Sequence, residues 1–198
     1  MTEKMLSVDA ARIHDVSLLK ELLQKMDLEF SGNALVLDKI LSSVAQVGND
    51  SVYKLMKEWT KHKDFSFKNP DRFRSLYGAF IMRNPKQFHH KNGQGYALLT
   101  KLLIDLDKIN PQVAARMIGP LMSFKRFDSE RQALMKQSLT TLSKLKLSKD
   151  LYEKVEEVLV LAEDKTFENE IKKPEVKEIK ETVSETKAET KSSLTFGE

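Results

Sequence analysis

An all-α fold of stacked antiparallel helical hairpins, an α-solenoid of HEAT or armadillo type, is what this 198-residue sequence predicts. Three observations predict it. Apolar residues recur at helical spacing in segment after segment, and no stretch of useful length alternates with period two. The links between these amphipathic segments are short, which places neighbouring helices antiparallel. The helix-start pair Asn69-Pro70 returns as Asn110-Pro111, a recurrence after about forty residues, in the range of HEAT and armadillo repeats. A plain helical bundle is the alternative.

Ser7 can cap a first helix over residues 8–26, with Val16, Leu19, Leu22, Leu23 and Met26 on one face. Ser31-Gly32-Asn33 breaks it. A second helix over 34–47 buries Leu37, Ile40, Leu41 and Val44 and is closed by Gly48. Asn49 or Asp50 caps a third, whose stripe Val52, Leu55, Met56, Trp59 makes Trp59 a core residue. Phe65 and Phe67, in the link that follows, tuck over neighbouring helices.

Asn69 caps the fourth helix, with Pro70 pre-set for the first helical position. Phe73, Leu76, Tyr77, Phe80 and Ile81 form its apolar face, and Asn84-Pro85 ends it. Arg72 and Arg74 lie near its positive end, at a cost of roughly 0.3–1 kcal/mol each against the helix dipole. Arg116 follows Asn110-Pro111 in a similar way. An arginine beside a helix start makes a place for an anion. The plain alternative for Arg74 and Arg116 is a solvated or ion-paired surface residue.

The loop after Pro85 holds His89-His90 and reaches Gly93 and Gly95. Neighbouring histidines in an extended loop point apart, and no carboxylate stands at ligand spacing. The glycine pair follows no strand, so it reads as a turn rather than a phosphate loop. A fifth helix over 96–109 is amphipathic through Leu99, Leu102, Leu103 and Leu106. The sixth opens at Asn110-Pro111 and kinks or restarts at Pro120. Asp128 or Ser129 caps the seventh, with Gln132 placed for a capping box and Leu134, Leu139, Leu142 and Leu145 facing inward. Met117, Met122 and Met135 are core filler. Arg126 and Arg131 are surface or ion-pair residues. Ser148 caps the eighth helix, over 149–163, with Leu151, Val155, Val158 and Leu159 on its apolar face.

Residues 164–198 carry 7 lysines against 9 acidic residues and little apolar content. Such a segment cannot bury enough surface to offset chain entropy, so it reads as a disordered charged tail after a helical domain of residues 1–163. The remainder has 26 basic and 20 acidic residues, a mild excess of +6 scattered over polar helix faces. Nucleic-acid binders concentrate such charge in stripes with interleaved aromatics, so no nucleic-acid partner is expected. No membrane span and no secretory leader are read from the sequence. The absence of cysteine excludes disulfides, and together these features point to a cytoplasmic protein.

Residues 69–80, Asn-Pro-Asp-Arg-Phe-Arg-Ser-Leu-Tyr-Gly-Ala-Phe, closely resemble a segment near the end of the aminopeptidase N (alanyl aminopeptidase) family of zinc peptidases. The likeness continues through Asn84-Pro85-Lys86-Gln87-Phe88-His89, Asn92-Gly93-Gln94-Gly95-Tyr96 and Asn110-Pro111-Gln112-Val113-Ala114-Ala115-Arg116. It goes on through Phe124-Lys125-Arg126-Phe127-Asp128, Arg131-Gln132 and Leu147-Ser148-Lys149-Asp150-Leu151-Tyr152-Glu153-Lys154. Upstream, Asn33-Ala34-Leu35-Val36-Leu37-Asp38-Lys39 also fits, so the resemblance covers about residues 28–161.

The family's members are much longer. They bind zinc through H-E-x-x-H and a later glutamate, and a helical C-terminal domain lids the catalytic chamber. The resemblance implies that this chain is the second half of such a lid. It further implies that Arg74 and Arg116 match two arginines facing the substrate channel, with Gln112 beside the second.

The departure is equally plain. The histidines are His14, His62, His89 and His90, none followed by glutamate, and neither H-E-x-x-H nor G-x-M-E-N occurs. The chain is therefore not catalytic by itself and carries no cofactor of its own, zinc belonging to the full-length family. The implied partners are a peptide substrate or a catalytic aminopeptidase chain. A free-standing helical interaction module without peptidase activity is the competing function. An exposed apolar surface on the first helical segment favours the lid, and a complete polar outer face there favours the free-standing module.

The tail reading has a direct test. Truncation after Asp164 is expected to leave the thermal midpoint nearly unchanged, and a drop of many degrees would show that the tail docks.

Overall fold

The computed structural model describes residues 2–163. The expectation of a disordered tail over 164–198 lies outside the described residues. Within them the fold is all-α, a stack of helices of armadillo and HEAT type.

Two helices rather than one open the chain: α1 (Thr2–His14) and α2 (Val16–Glu29). The expected single helix over 8–26 is corrected at Asp15. Its backbone is extended and its carboxylate accepts from the Ser17 and Leu18 amides at 2.8 and 3.0 Å, capping α2. Ser7 is not a cap. It sits inside α1 and donates to the Glu3 carbonyl at 3.2 Å.

Helix α3 (Ala34–Ala45) is capped by Asn33, and it organises the first half of the fold. It packs against α1, α2, α4 (Ser51–Trp59) and the segment that begins at Asn69. Val36, Leu37, Ile40, Leu41, Val44 and Ala45 are all buried in these contacts.

The 70–83 segment is not one regular helix. It runs as α5 (Pro70–Phe73), a π-turn (Arg74–Gly78) and α6 (Ala79–Arg83). The Ala79 amide bonds back to the Arg74 carbonyl, the i→i+5 closure of a π-bulge. Phe65 and Phe67 cover this segment as expected, their rings edge-on to Tyr77 at 6.4 and 6.0 Å, and Phe67 edge-on to Phe73 at 5.2 Å.

Asn84 does more than end that helix. Its carboxamide NH2 donates to the Ala45 and Val47 carbonyls at 3.0 and 2.8 Å, while its oxygen accepts from the Gln87 amide. It thereby caps a further single turn, α7 (Pro85–Phe88), and satisfies carbonyls at the C-terminal end of α3. Gln87 adds a bond from its side chain to the Gly48 carbonyl at 3.2 Å, and Tyr53 of α4 donates to the Gln87 carbonyl at 3.1 Å.

The second half is built on α8 (Gln94–Asp107), which packs against α7, α9 (Pro111–Met117) and α11 (Ser129–Ser143). Gly93 takes a left-handed φ of 72°, which L-residues rarely adopt. A Cβ on Gly95 would lie 2.1 Å from the Phe88 carbonyl oxygen, so only glycine lets α7 and α8 approach so closely. Pro120 marks a restart, α10 (Gly119–Met122), followed by a 3-10 turn at Phe124–Arg126.

Asp128 caps α11. The expected capping box is not completed, because the Gln132 side chain donates to the Phe127 carbonyl at 2.7 Å instead. Helix α12 (Lys149–Glu163) is fastened at its start: Ser148 accepts from the Leu151 amide, and its own amide and hydroxyl both donate to the buried Asp107 carboxylate.

Several expected core positions lie nearer the surface. Trp59 is half-buried, its ring stacked at 5.8 Å on His62, whose imidazole pairs with Asp27. Of the three methionines, Met135 is buried, Met117 half-buried and Met122 exposed. Leu22 and Leu134 are half-buried, and Leu145 at the end of its stripe is exposed. In each case the helical phase is right, but the residue sits at an end of the stripe or at its edge.

Because Asn84 is only 4% exposed, its replacement leaves two carbonyls without a donor. Asn84→Ala is expected to cost about 2–4 kcal/mol in denaturant melts, each unmet buried group contributing about 1–3 kcal/mol. A loss under 1 kcal/mol would mean that water replaces the carboxamide.

Candidate functional site

The positions singled out by their Asn-Pro starts separate into different environments. Arg72 is a structural residue: it is 7% exposed, and its guanidinium pairs with Asp38 of α3. Its Nε is buried without a partner. A charge this buried is held by its pairing, so Arg72 ties α5 to α3 and is closed to a ligand.

Arg74 is the opposite case. Its side chain is 75% exposed, with only a 3.4 Å contact to Asp71. Solvent-exposed pairs of this kind contribute about 0–1 kcal/mol, so Asp71 does not immobilise it. Arg116, in the last turn of α9, and Arg83, in the last turn of α6, have no ion-pair or hydrogen-bond partner among the described residues.

Arg74, Arg83 and Arg116 line one cavity of about 440 Å³. The π-turn and α6 supply one wall through Arg74, Ser75, Gly78, Met82 and Arg83; α9 supplies the other through Val113, Arg116 and Met117; Ser42 of α3 completes it. No carboxylate is among the lining residues. Gln112, expected beside Arg116, is exposed and lies outside this lining.

The physical basis for the arginines differs from the expectation. Helices α5 and α9 are too short to act as anion sites through their N-termini, and Arg116 belongs to the last turn of α9 rather than to its start. What gathers the arginines is packing. The π-turn inserts an extra residue into the helical repeat and so shifts the angular phase of everything after it. Gly78 leaves room for the Arg74 stem: a Cβ there would come within 3.3 Å of the Arg74 Cγ. The sequence held one signal for this turn, a glycine in the middle of an amphipathic helix. Arg83 has no such signal, because it stands at the end of a helix next to Asn84-Pro85 and reads as a solvated cation.

The remaining motifs are structural. His89 is half-buried, stacked on Phe127 at 4.2 Å, with Nδ1 at 3.0 Å from the Tyr96 hydroxyl. Burial, and secondarily the Arg131 guanidinium, hold its pKa below the ordinary imidazole value. Burial raises the Tyr96 phenol to about 12. Arg131 pairs with Asp128 and donates through Nε to the His89 carbonyl, while His90 points outward and accepts from the Asn92 amide. Among the described residues no group of three His, Cys, Asp or Glu side chains could hold a metal ion.

Fold and site together define a helical-repeat domain with a basic cavity and no catalytic constellation among its described residues. The chain belongs to the family described as "Domain of unknown function (DUF3458_C) ARM repeats", which matches residues 1–160. It is 41% identical to aminopeptidase N of Haemophilus influenzae over 160 residues, covering 80% of this chain and 18% of that protein. Against aminopeptidase N of Escherichia coli it is 40% identical over 162 residues, with the same two shares. A crystal structure of Legionella pneumophila aminopeptidase A in complex with aspartic acid superposes with a TM-score of 0.76 at 27% identity, over 81% of this chain and 19% of that one.

The chain thus spans slightly under a fifth of the length of these relatives. It is homologous to the C-terminal helical region of aminopeptidase N-type proteins. The family match takes in α1 and α2, which the sequence reading left before the resemblance.

The role of Gly78 can be tested on the isolated chain. Gly78→Ala is expected to preserve the fold, with a stability change within about 1 kcal/mol, the size of the Gly-to-Ala helix preference. It should displace the Arg74 side chain, seen as a shift of the Arg74 Nε–H resonance with that of Arg116 unmoved. An unchanged Arg74 resonance would show that its stem does not rest on Gly78.

Proposed function

We propose that this chain is the lid and substrate-channel module of an aminopeptidase N-like zinc peptidase, acting as a fragment or separate subunit beside a catalytic chain that supplies the zinc site. The observation that carries the reading is the homology of residues 1–160 to the helical region of such enzymes, together with a cavity whose charged residues are all arginines. In this role Arg74 and Arg116 meet the peptide. Their guanidinium groups donate paired hydrogen bonds to a carboxylate or to peptide carbonyls and hold the chain in line. Gln112, exposed on the same α9 helix, takes part at the margin of the channel. The division into a helical domain of residues 1–163 and a tail, and a cytoplasmic location, belong to the same reading. Among the described residues no helix is long and apolar enough to cross a membrane.

The free-standing alternative needs a polar outer face on the first helical pair. Within residues 8–26, Ile13 and Leu18 are instead 68% and 45% exposed. These two exposed apolar side chains on the first helical segment favour the lid reading over a complete polar outer face.

The test uses the full chain combined with an aminopeptidase N-type catalytic chain that lacks this region. Arg74→Ala and Arg116→Ala should each lower kcat/KM for peptides by about 1.5–3 kcal/mol, the loss of a charge-assisted hydrogen bond. Their folding should be unaffected, since both side chains are exposed. Wild-type turnover by the double variant would end the proposal.

A further inference from the structure

Arg83 is the cavity's unassigned cation. It lies at the last turn of α6, on the same wall as Arg74, and neither an ion pair nor a hydrogen bond engages it among the described residues. Three arginines thus line the cavity together with Ser42 and Ser75, and no carboxylate is in its lining. Among the described residues Asp71 is the one acid within ion-pair distance of any of them, reaching Arg74 from outside the lining at 3.4 Å with both side chains largely exposed.

Three like charges facing one space repel each other, and the repulsion is relieved by an anion. Met82 on one wall and Val113 and Met117 on the other add apolar lining against which an aliphatic stem can lie. Two arginines suffice to hold a peptide's backbone carbonyls. A third, on the same wall as Arg74, adds charge that a neutral peptide does not use.

We infer that Arg83 is a specificity residue that makes this cavity select peptides bearing a carboxylate. The inference rests on the proposed substrate-facing role of Arg74 and Arg116 and adds the class of peptide they receive. The carboxylate comes from either an acidic side chain or the peptide C-terminus, and the two share one chemistry. Arg83 acts as a partner of that carboxylate through planar, two-pronged hydrogen bonding.

The experiment measures binding of synthetic octapeptides to the full chain by NMR titration at low and high salt. One pair of peptides differs only in Glu against Gln at an internal position, and each is made with a free or an amidated C-terminus. The wild-type chain should bind at least one carboxylate form about tenfold more tightly than its neutral counterpart, with the preference shrinking at high salt. Arg83→Gln should remove that preference while leaving the affinity for the neutral, amidated peptide unchanged. The arm in which the preference disappears identifies the source of the carboxylate.

Arg74→Ala and Arg116→Ala should weaken all the peptides. If Arg83→Gln keeps the preference while the other two variants weaken binding, the inference fails and the lid reading stands. If none of the three variants alters binding, both fail. A wild-type chain that does not distinguish charged from neutral peptides also overturns the inference. Arg83 is exposed, so an unchanged thermal midpoint of Arg83→Gln serves as the folding control.

Discussion

One buried carboxamide fixes how the two halves of this fold meet. The end of α3 leaves carbonyls at Ala45 and Val47 that no helical amide reaches, and Asn84 supplies both missing donors from a position far along the chain. With that side chain pinned, the residue that ends α6 is also the one that starts α7. Gln87 and Tyr53 then extend the same polar seam to Gly48 and α4. Buried polar seams of this kind are costly when incomplete and directional when satisfied, so they define register where apolar packing alone tolerates sliding. The register defined here brings Phe80 and Phe88 into edge contact at 6.1 Å and sets α7 where only Gly95 allows α8 to approach.

The basic cavity follows from that arrangement. Arg72 faces inward to Asp38 and holds α5 against α3, while two residues later Arg74 faces outward into the cavity. A regular helix continuing from Pro70 would present its side chains at a steady 100° per residue. At that step Arg72 and Arg74 already fall on opposite faces, and the π-turn that begins at Arg74 shifts the phase of the residues after it, Arg83 included. Arg116 arrives from the other wall because α9 packs back on α8. The chemistry on offer is recognition by guanidinium groups.

Exposed leucines at the start of the stack and a polar seam in its middle place different demands on the molecule. The donors of the seam all find carbonyls within the chain, while the Gln87 side-chain oxygen is buried without a partner among the described residues. The apolar side chains of α1, α2 and the start of α3 are not covered by the seam, and this is the feature that sets the domain apart from a self-sufficient repeat protein. The homologous region occupies less than a fifth of each relative.

What the sequence by itself determined was whatever depends on local spacing. The helical stripes, the break at Asn33, the Asn69-Pro70 and Asn110-Pro111 helix starts, a cap at Asp128 or Ser129 and a kink or restart at Pro120 are written in runs of a few residues, and each was legible there. So was the family, because many short matches fell in one order. Only the tertiary structure decided matters that turn on distant partners. Trp59 leaves the core because the stripe that carries it ends beside His62 and Asp27 rather than beneath another helix. Arg72 and Arg74 look alike in sequence, and one is buried against Asp38 while the other is free to meet a ligand. Arg83 joined the cavity with no sequence signal at all. The physical reason is the same in each case: spacing along one helix sets which residues share a face, but only packing sets what that face meets.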